Sequence, residues 1–221
     1  MSGHNRPRDT ILFIHGLGRT RRAMWPLALR ARAKGYRVGT WGYASRAASI
    51  EVHANALKEK LVYECEKNRE GQIHIVTHSL GGRVVRNLFE RHAADQFPSL
   101  GRVVMIAPPH AGSEVIDYGI AYGLFRMVFG PVVHELGTTA AYPKLPDGAP
   151  DVGVIAGTRS QWSLSLLFTR VNDGKVAVES AKIIGMRDFV AVPFTHTGIL
   201  WKKQVADLVL SFIEQGTFTP P

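Results

Sequence analysis

The chain has 221 residues, 45% hydrophobic and 20% charged, enough apolar material for one substantial core and too much for a disordered chain. One cysteine, Cys65, excludes an intrachain disulfide and a Cys-rich zinc site. The formal charge of +9 is unevenly spread: residues 1–50 hold ten Lys/Arg against a single acid, Asp9, while residues 51–221 hold seventeen of each sign. The polar, basic start and the short run Ile11–Ile14 do not make a signal-peptide core. Val115–Val133 is interrupted by Asp117, Arg126, glycines and a proline, so it falls short of a membrane span. A cytoplasmic location is the expectation that follows.

In chain order, Ile11–Ile14 reads as a buried strand and Pro26–Lys34 as a helix stopped by Gly35. Arg37–Tyr43 is the next strand. A helix over 51–67 follows, with Val52, Leu57, Leu61 and Cys65 near helical spacing. Ile73–Thr77 reads as a strand, Gly81–Ala94 as a helix and Val103–Ala107 as a strand. Ser113–Pro150 is irregular, rich in Gly, Pro and aromatics. Val152–Ala156 and Phe189–Val192 are strands, and residues 200–214 form a helix with Val205, Leu208, Val209, Phe212 and Ile213 on one face. Near-continuous apolar strands alternating with helices predict an α/β fold, a parallel sheet covered on both faces. The expectation is one domain over 1–221.

In such a sheet, ligands gather at the carboxyl ends of the strands. After Ile73–Thr77 comes Thr77-His78-Ser79-Leu80-Gly81-Gly82, a serine between small residues on a sharp strand-to-helix turn. The turn is also what an N-capping serine would look like. Thr77 stands where the usual pattern has glycine. After the first strand, His15-Gly16-Leu17-Gly18 offers a loop N–H, that of Leu17, to pair with that of Leu80 as oxyanion donors. Asn172-Asp173-Gly174 supplies an acid on a turn, and Phe194-Thr195-His196 a base before the last helix. The order Ser79, Asp173, His196 suits acyl transfer. Asp188 competes with Asp173 but enters its strand from the wrong end.

These four motifs together resemble the α/β-hydrolases, in particular small bacterial lipases and esterases with a minimal cap or none. The resemblance implies Ser79 as nucleophile, Asp173 as orienting acid, His196 as base, and Leu17 with Leu80 as oxyanion donors. It implies a serine hydrolase acting on carboxylic esters, needing no cofactor or metal. Thioesters or amides would suit the same residues, and a non-catalytic basic adaptor is the alternative outside catalysis. Ala107-Pro108-Pro109-His110-Ala111-Gly112-Ser113 resembles a loop that borders the site in some relatives. Longer members carry two further N-terminal strands, which are not expected in a chain that begins close to its His15-Gly16 strand, so the resemblance implies a mostly parallel sheet of about six strands.

Residues 113–150 occupy the position of a small lid. There Val115, Ile116, Ile120, Leu124, Phe125, Met127, Val128 and Phe129 are candidates for an acyl groove, against the alternative of ordinary packed helices. Trp25, His110, Leu124 and Phe125 are the candidate substrate-binding residues, and Trp41 and Tyr43 are further candidates for the pocket wall. The expected partner is a small-molecule or lipid ester. Arg19, Arg21 and Arg22, directly after the oxyanion loop, make an anionic substrate or an anionic membrane surface further candidates, against a plain solvated run. No basic–aromatic interleaving or binding motif supports nucleic acid.

Overall fold

The computed structural model describes residues 9–68, 70–121, 130–138, 143–160 and 170–219. Six parallel strands form one sheet: β1 (Thr10–Ile14), β2 (Arg37–Trp41), β3 (Ile73–His78), β4 (Leu100–Ile106), β5 (Val152–Gly157) and β6 (Asp188–Val192), in spatial order β2-β1-β3-β4-β5-β6. Every residue of β1, β3 and β5 is buried, whereas the edge strands β2 and β6 are mostly half-exposed. That division explains why the inner strands read as unbroken apolar runs.

Successive side chains of a strand point to opposite faces, and the core divides accordingly. Leu12 and Ile14 face one layer with Leu57, Leu61, Val84 and Leu88 of α2 (Ile50–Lys67) and α3 (Leu80–Arg91). Ile11 and Phe13 face the other, with Leu27 and Ala28 of α1 (Trp25–Ala33) and Val205, Leu208, Val209 and Phe212 of the C-terminal helix, α6 (Lys203–Gln215). Two further helices are described, α4 (Glu114–Ala121) and the single-turn α5 (Val178–Ala181). No helix among the described residues is long and apolar enough to cross a membrane.

Local chemistry sets the ends. Gly35, at φ 92°, takes the left-handed conformation that stops α1, and Gly216, at φ 78°, caps α6. The Ser49 hydroxyl accepts the Val52 N–H at 3.3 Å and starts α2. One expectation fails there: Val52 is exposed, and the buried stripe is Ile50, His53, Ala54, Leu57, Leu61 and Cys65. Tyr43 meets His53 edge-on at 4.7 Å, so an imidazole fills the place expected for an aliphatic side chain.

Strand order reverses between β1 and β3, because β1 connects to β2 on one side while β3 lies on the other. A crevice opens where chains leave such a point in opposite directions. Ile14 of β1 pairs with Thr77 of β3, so the segments that follow, His15-Gly16 and His78-Ser79, run side by side.

Candidate active site

Ser79 joins β3 to α3 with φ 53° and ψ −122°, a strained backbone for a residue with a Cβ. Its neighbours must be small. A Cβ on Gly16 would stand 2.8 Å from the Ser79 Cβ, and one on Gly81 would stand 3.0 Å from the carbonyl oxygens of Ile14 and His15. A Cβ on Gly82 would stand 2.7 Å from the Pro108 side chain. The threonine at 77 is accommodated, fully buried, beside Gly82. Gly16→Ala is expected to push the His15–Gly18 loop off Ser79 and to lower any turnover that depends on Ser79 at least about a hundredfold, the loss typical of one misplaced backbone donor. Steady-state kinetics alongside a melting curve checks it.

Ser79, His196 and Asp173 form one hydrogen-bonded chain. The Ser79 Oγ lies 3.0 Å from His196 Nε2, and His196 Nδ1 lies 2.7 Å from Asp173 Oδ2. A carboxylate only accepts, so Nδ1 carries the hydrogen and leaves Nε2 free to accept from the serine. Asp173 is almost fully buried, yet its charge is well satisfied: Oδ1 accepts the N–H groups of Lys175 at 2.9 Å and Val176 at 2.8 Å. The Asp173 carbonyl also accepts the His196 N–H at 2.9 Å, pinning the two loops together. Gly157 at the end of β5 allows this approach, since a Cβ there would stand 2.7 Å from the Asp173 Cβ.

Leu80 opens α3, where the first N–H groups of a helix lack intrahelical partners. Leu17 lines the cavity from the β1 side. Among the described residues, neither N–H is engaged in a hydrogen bond. Support for this loop lies behind it. The Tyr43 hydroxyl donates to the His15 carbonyl at 3.0 Å, the Tyr43 N–H donates to His15 Nε2 at 3.3 Å, and Gly18 N–H donates to Ser45 Oγ at 3.0 Å. Trp41 and Tyr43, candidates for the pocket wall, instead stack behind the loop, ring on ring, with His15. Burial lowers the His15 pKa and keeps this prop neutral.

A second histidine props His196. His78 is buried, and its Nε2 donates to the His196 carbonyl at 2.8 Å. Its pKa lies well below that of a free imidazole, first through burial and then through His196 and the positive charges of Lys175 and Arg19. The sequence shows His78 beside the serine but gives no sign of this bond, which spans 118 positions.

The serine faces a cavity of about 130 Å³ lined by Leu17, Val115, Ile116, Leu136 and Val176 on its apolar side and by Arg19, Lys175 and Thr197 among its polar groups. Val115 and Ile116 were expected there; Leu136 and Val176 were not, because a turn and a loop bring them in. Two expected residues stand elsewhere. The 3-10 turn Arg21–Met24 carries the chain past the strand end and turns Met24 inward, so Trp25 is half-exposed, lies under the Arg22 guanidinium and lines a separate groove with Leu29 and Arg32. His110 is buried behind its loop rather than in the cavity, where Pro109 appears. Arg83 and Arg86 hold the His110 carbonyl at 3.1 and 3.0 Å, which fixes the loop with the ring turned inward. Leu124 and Phe125 lie outside the described residues, as does part of the expected lid at 113–150. Among the described residues, no group of three or more His, Cys, Asp or Glu is placed to share a metal ion.

A parallel sheet with this strand order, a serine on a strained turn after β3 and loops from β1, β5 and β6 meeting it define the α/β-hydrolase fold. Solved structures agree. The mature lipase BlEst2 of Bacillus licheniformis superposes with a TM-score of 0.74 at 18% identity, over 95% of this chain and 92% of that one. Phospholipase PlaB of Legionella pneumophila, solved with thio-NAD, gives 0.71 at 18% identity, over 91% of this chain and 56% of that one. The metagenomic carboxyl esterase MGS0156 gives 0.69 at 18% identity, over 87% and 65%. No curated protein sequence matches the chain. By sequence the chain belongs to the family described as Domain of unknown function (DUF7379), whose model matches residues 2–128.

Proposed function

We propose that this protein is a serine hydrolase of carboxylic esters, with Ser79 as nucleophile, His196 as general base and Asp173 as the acid that orients it. The observation that carries this reading is the unbroken chain Ser79 Oγ–His196 Nε2, His196 Nδ1–Asp173 Oδ2 at one end of a partly apolar cavity. His196 takes the serine proton as Oγ attacks the ester carbonyl. The oxyanion that forms is held by the N–H groups of Leu17 and Leu80, a contribution of about 3–4 kcal/mol per donor in comparable sites. Asp173 stabilises the imidazolium, which then protonates the leaving alcohol. Water, deprotonated by His196, releases the acid from the acyl-enzyme.

A fluorophosphonate probe is expected to label the protein at Ser79, and 4-nitrophenyl butyrate to be hydrolysed. Both signals should vanish in Ser79→Ala with the melting curve preserved. A folded wild-type chain that neither takes up the probe nor releases nitrophenol would overturn the proposal in favour of a non-catalytic scaffold.

A further inference from the structure

We infer that the rim of the Ser79 cavity is a binding site for an anionic group on the ester substrate, a carboxylate or phosphate held between Arg19 and Lys175. This rests on the proposed hydrolase reading and adds to it a substrate class. Both cations line the cavity, and both are solvent-exposed members of its wall, above the buried Asp173 and His196. Each rides on a loop already fixed by the site. Arg19 follows Leu17 by two positions, and its Nη2 donates to Thr197 Oγ1 at 3.3 Å. Lys175 follows Asp173 by two positions. Its N–H is bound by the Asp173 carboxylate and its carbonyl by the Ser113 hydroxyl, so the backbone is held while the ammonium reaches outward.

Neither cation has a counter-charge. No carboxylate forms an ion pair with Arg19 or Lys175 among the described residues, and no Asp or Glu lines the cavity. The segments outside the described residues contain no Asp or Glu. Asp173, the carboxylate that acts on Lys175, is engaged by two backbone N–H groups and His196. The two charges sense each other: partial desolvation where Lys175 leans on the cavity rim lowers its pKa, Arg19 lowers it as well, and Asp173 opposes. Two uncompensated cations beside Leu17, Val115, Ile116 and Val176 focus a positive potential on one opening. An anion bound there relieves their repulsion. The reacting carbonyl belongs at Ser79, so the anion is carried on a distal part of the substrate. Arg21 and Arg22 take no part: Arg21 lies against Gly42 and Arg22 over the Trp25 ring.

The test compares each anionic ester with a neutral counterpart. Mono(4-nitrophenyl) glutarate is set against its methyl-capped form, and dihexanoyl phosphatidate against dihexanoylglycerol. In at least one pair, kcat/KM for the anionic member should exceed the neutral one about tenfold or more, a preference worth roughly one close charge contact in a partly desolvated site. The ratio should fall toward one in Arg19→Gln and in Lys175→Gln, recover in part in Arg19→Lys, and stay unchanged in Arg32→Gln. Whichever pair responds identifies the source, a soluble acid or a lipid headgroup. Calorimetry supplies a readout without turnover: monomethyl glutarate or hexyl phosphate should bind Ser79→Ala, and at least about tenfold more weakly when Arg19→Gln is added. A ratio at or below one in both pairs, or a preference that survives the Arg19→Gln/Lys175→Gln double substitution, overturns the inference while leaving ester hydrolysis intact. Arg19-dependent anion binding in a protein that cleaves no ester would instead retire the hydrolase reading and leave the anion site standing.

Discussion

Asp173→Asn is expected to lower kcat on a 4-nitrophenyl ester by about ten-thousandfold while leaving the fold in place. Asn keeps an oxygen where Oδ1 stands, so the N–H groups of Lys175 and Val176 retain an acceptor. The change falls on the other atom. An amide NH2 in the place of Oδ2 presents a donor to His196 Nδ1, so the imidazole adopts the tautomer with Nδ1 bare and Nε2 protonated. Nε2 then donates toward Ser79 Oγ, 3.0 Å away, and can no longer remove its proton. The loss belongs in kcat rather than KM, because nothing that lines the cavity has changed.

Asp188→Asn is the matched control. Asp188 opens β6, and its carboxylate accepts the N–H groups of Phe189 and Phe218. It sits at the amino end of its strand, opposite the end that carries Thr195-His196. Its replacement should leave kcat unchanged. Stopped-flow release of nitrophenol, with melting curves for both variants, decides the matter. Turnover within tenfold of wild type in Asp173→Asn would show that the carboxylate does not set the His196 tautomer.

The inner strands were legible because burial on both faces leaves no polar alternation to confuse with a helix, and Ser79 and His196 stood out as candidates because one directly follows β3 and the other closely follows β6. The structure lengthens β4 back to Leu100. Gly101 and Arg102 hide that extension, since only the close approach of the His74 ring, 2.6 Å from a Cβ on Gly101, explains the glycine. Side-chain direction was less legible than position. Trp25 and His110 are close in sequence to site loops, yet a 3-10 turn redirects one and the Arg83–carbonyl bonds, 26 and 27 positions apart in sequence, redirect the other. Lys175 directly follows the Asn172-Asp173-Gly174 turn, but its carbonyl is held by the hydroxyl of Ser113, 62 positions away. Long-range contacts of this kind leave no local pattern to read.

Buried imidazoles should make the protein sensitive to acid. His74 is buried, and its Nδ1 accepts the Arg102 N–H at 3.0 Å, an arrangement that needs a bare nitrogen. Burial outweighs the opposing Asp9 carboxylate and, with the Arg102 charge acting in the same direction as burial, lowers its pKa to about 4. His78 and His110 are held well below the usual value by burial and by neighbouring positive charge. The unfolded chain takes up protons on all three below a pH of about 6.5, and the folded chain resists them. Stability therefore falls as pH drops through that value and, for His74, continues to fall until about pH 4. A histidine costs about 1.4 kcal/mol per pH unit within its window, so His74 alone costs roughly 2 kcal/mol between about pH 6.5 and about pH 5, and His78 and His110 act in the same direction. Urea midpoints should fall steeply between about pH 7 and about pH 5. In His74→Gln the amide oxygen can still accept the Arg102 N–H without titrating, so the drop over that interval should shrink by about 2 kcal/mol. An equal drop in both proteins would mean that His74 titrates alike folded and unfolded, against its burial.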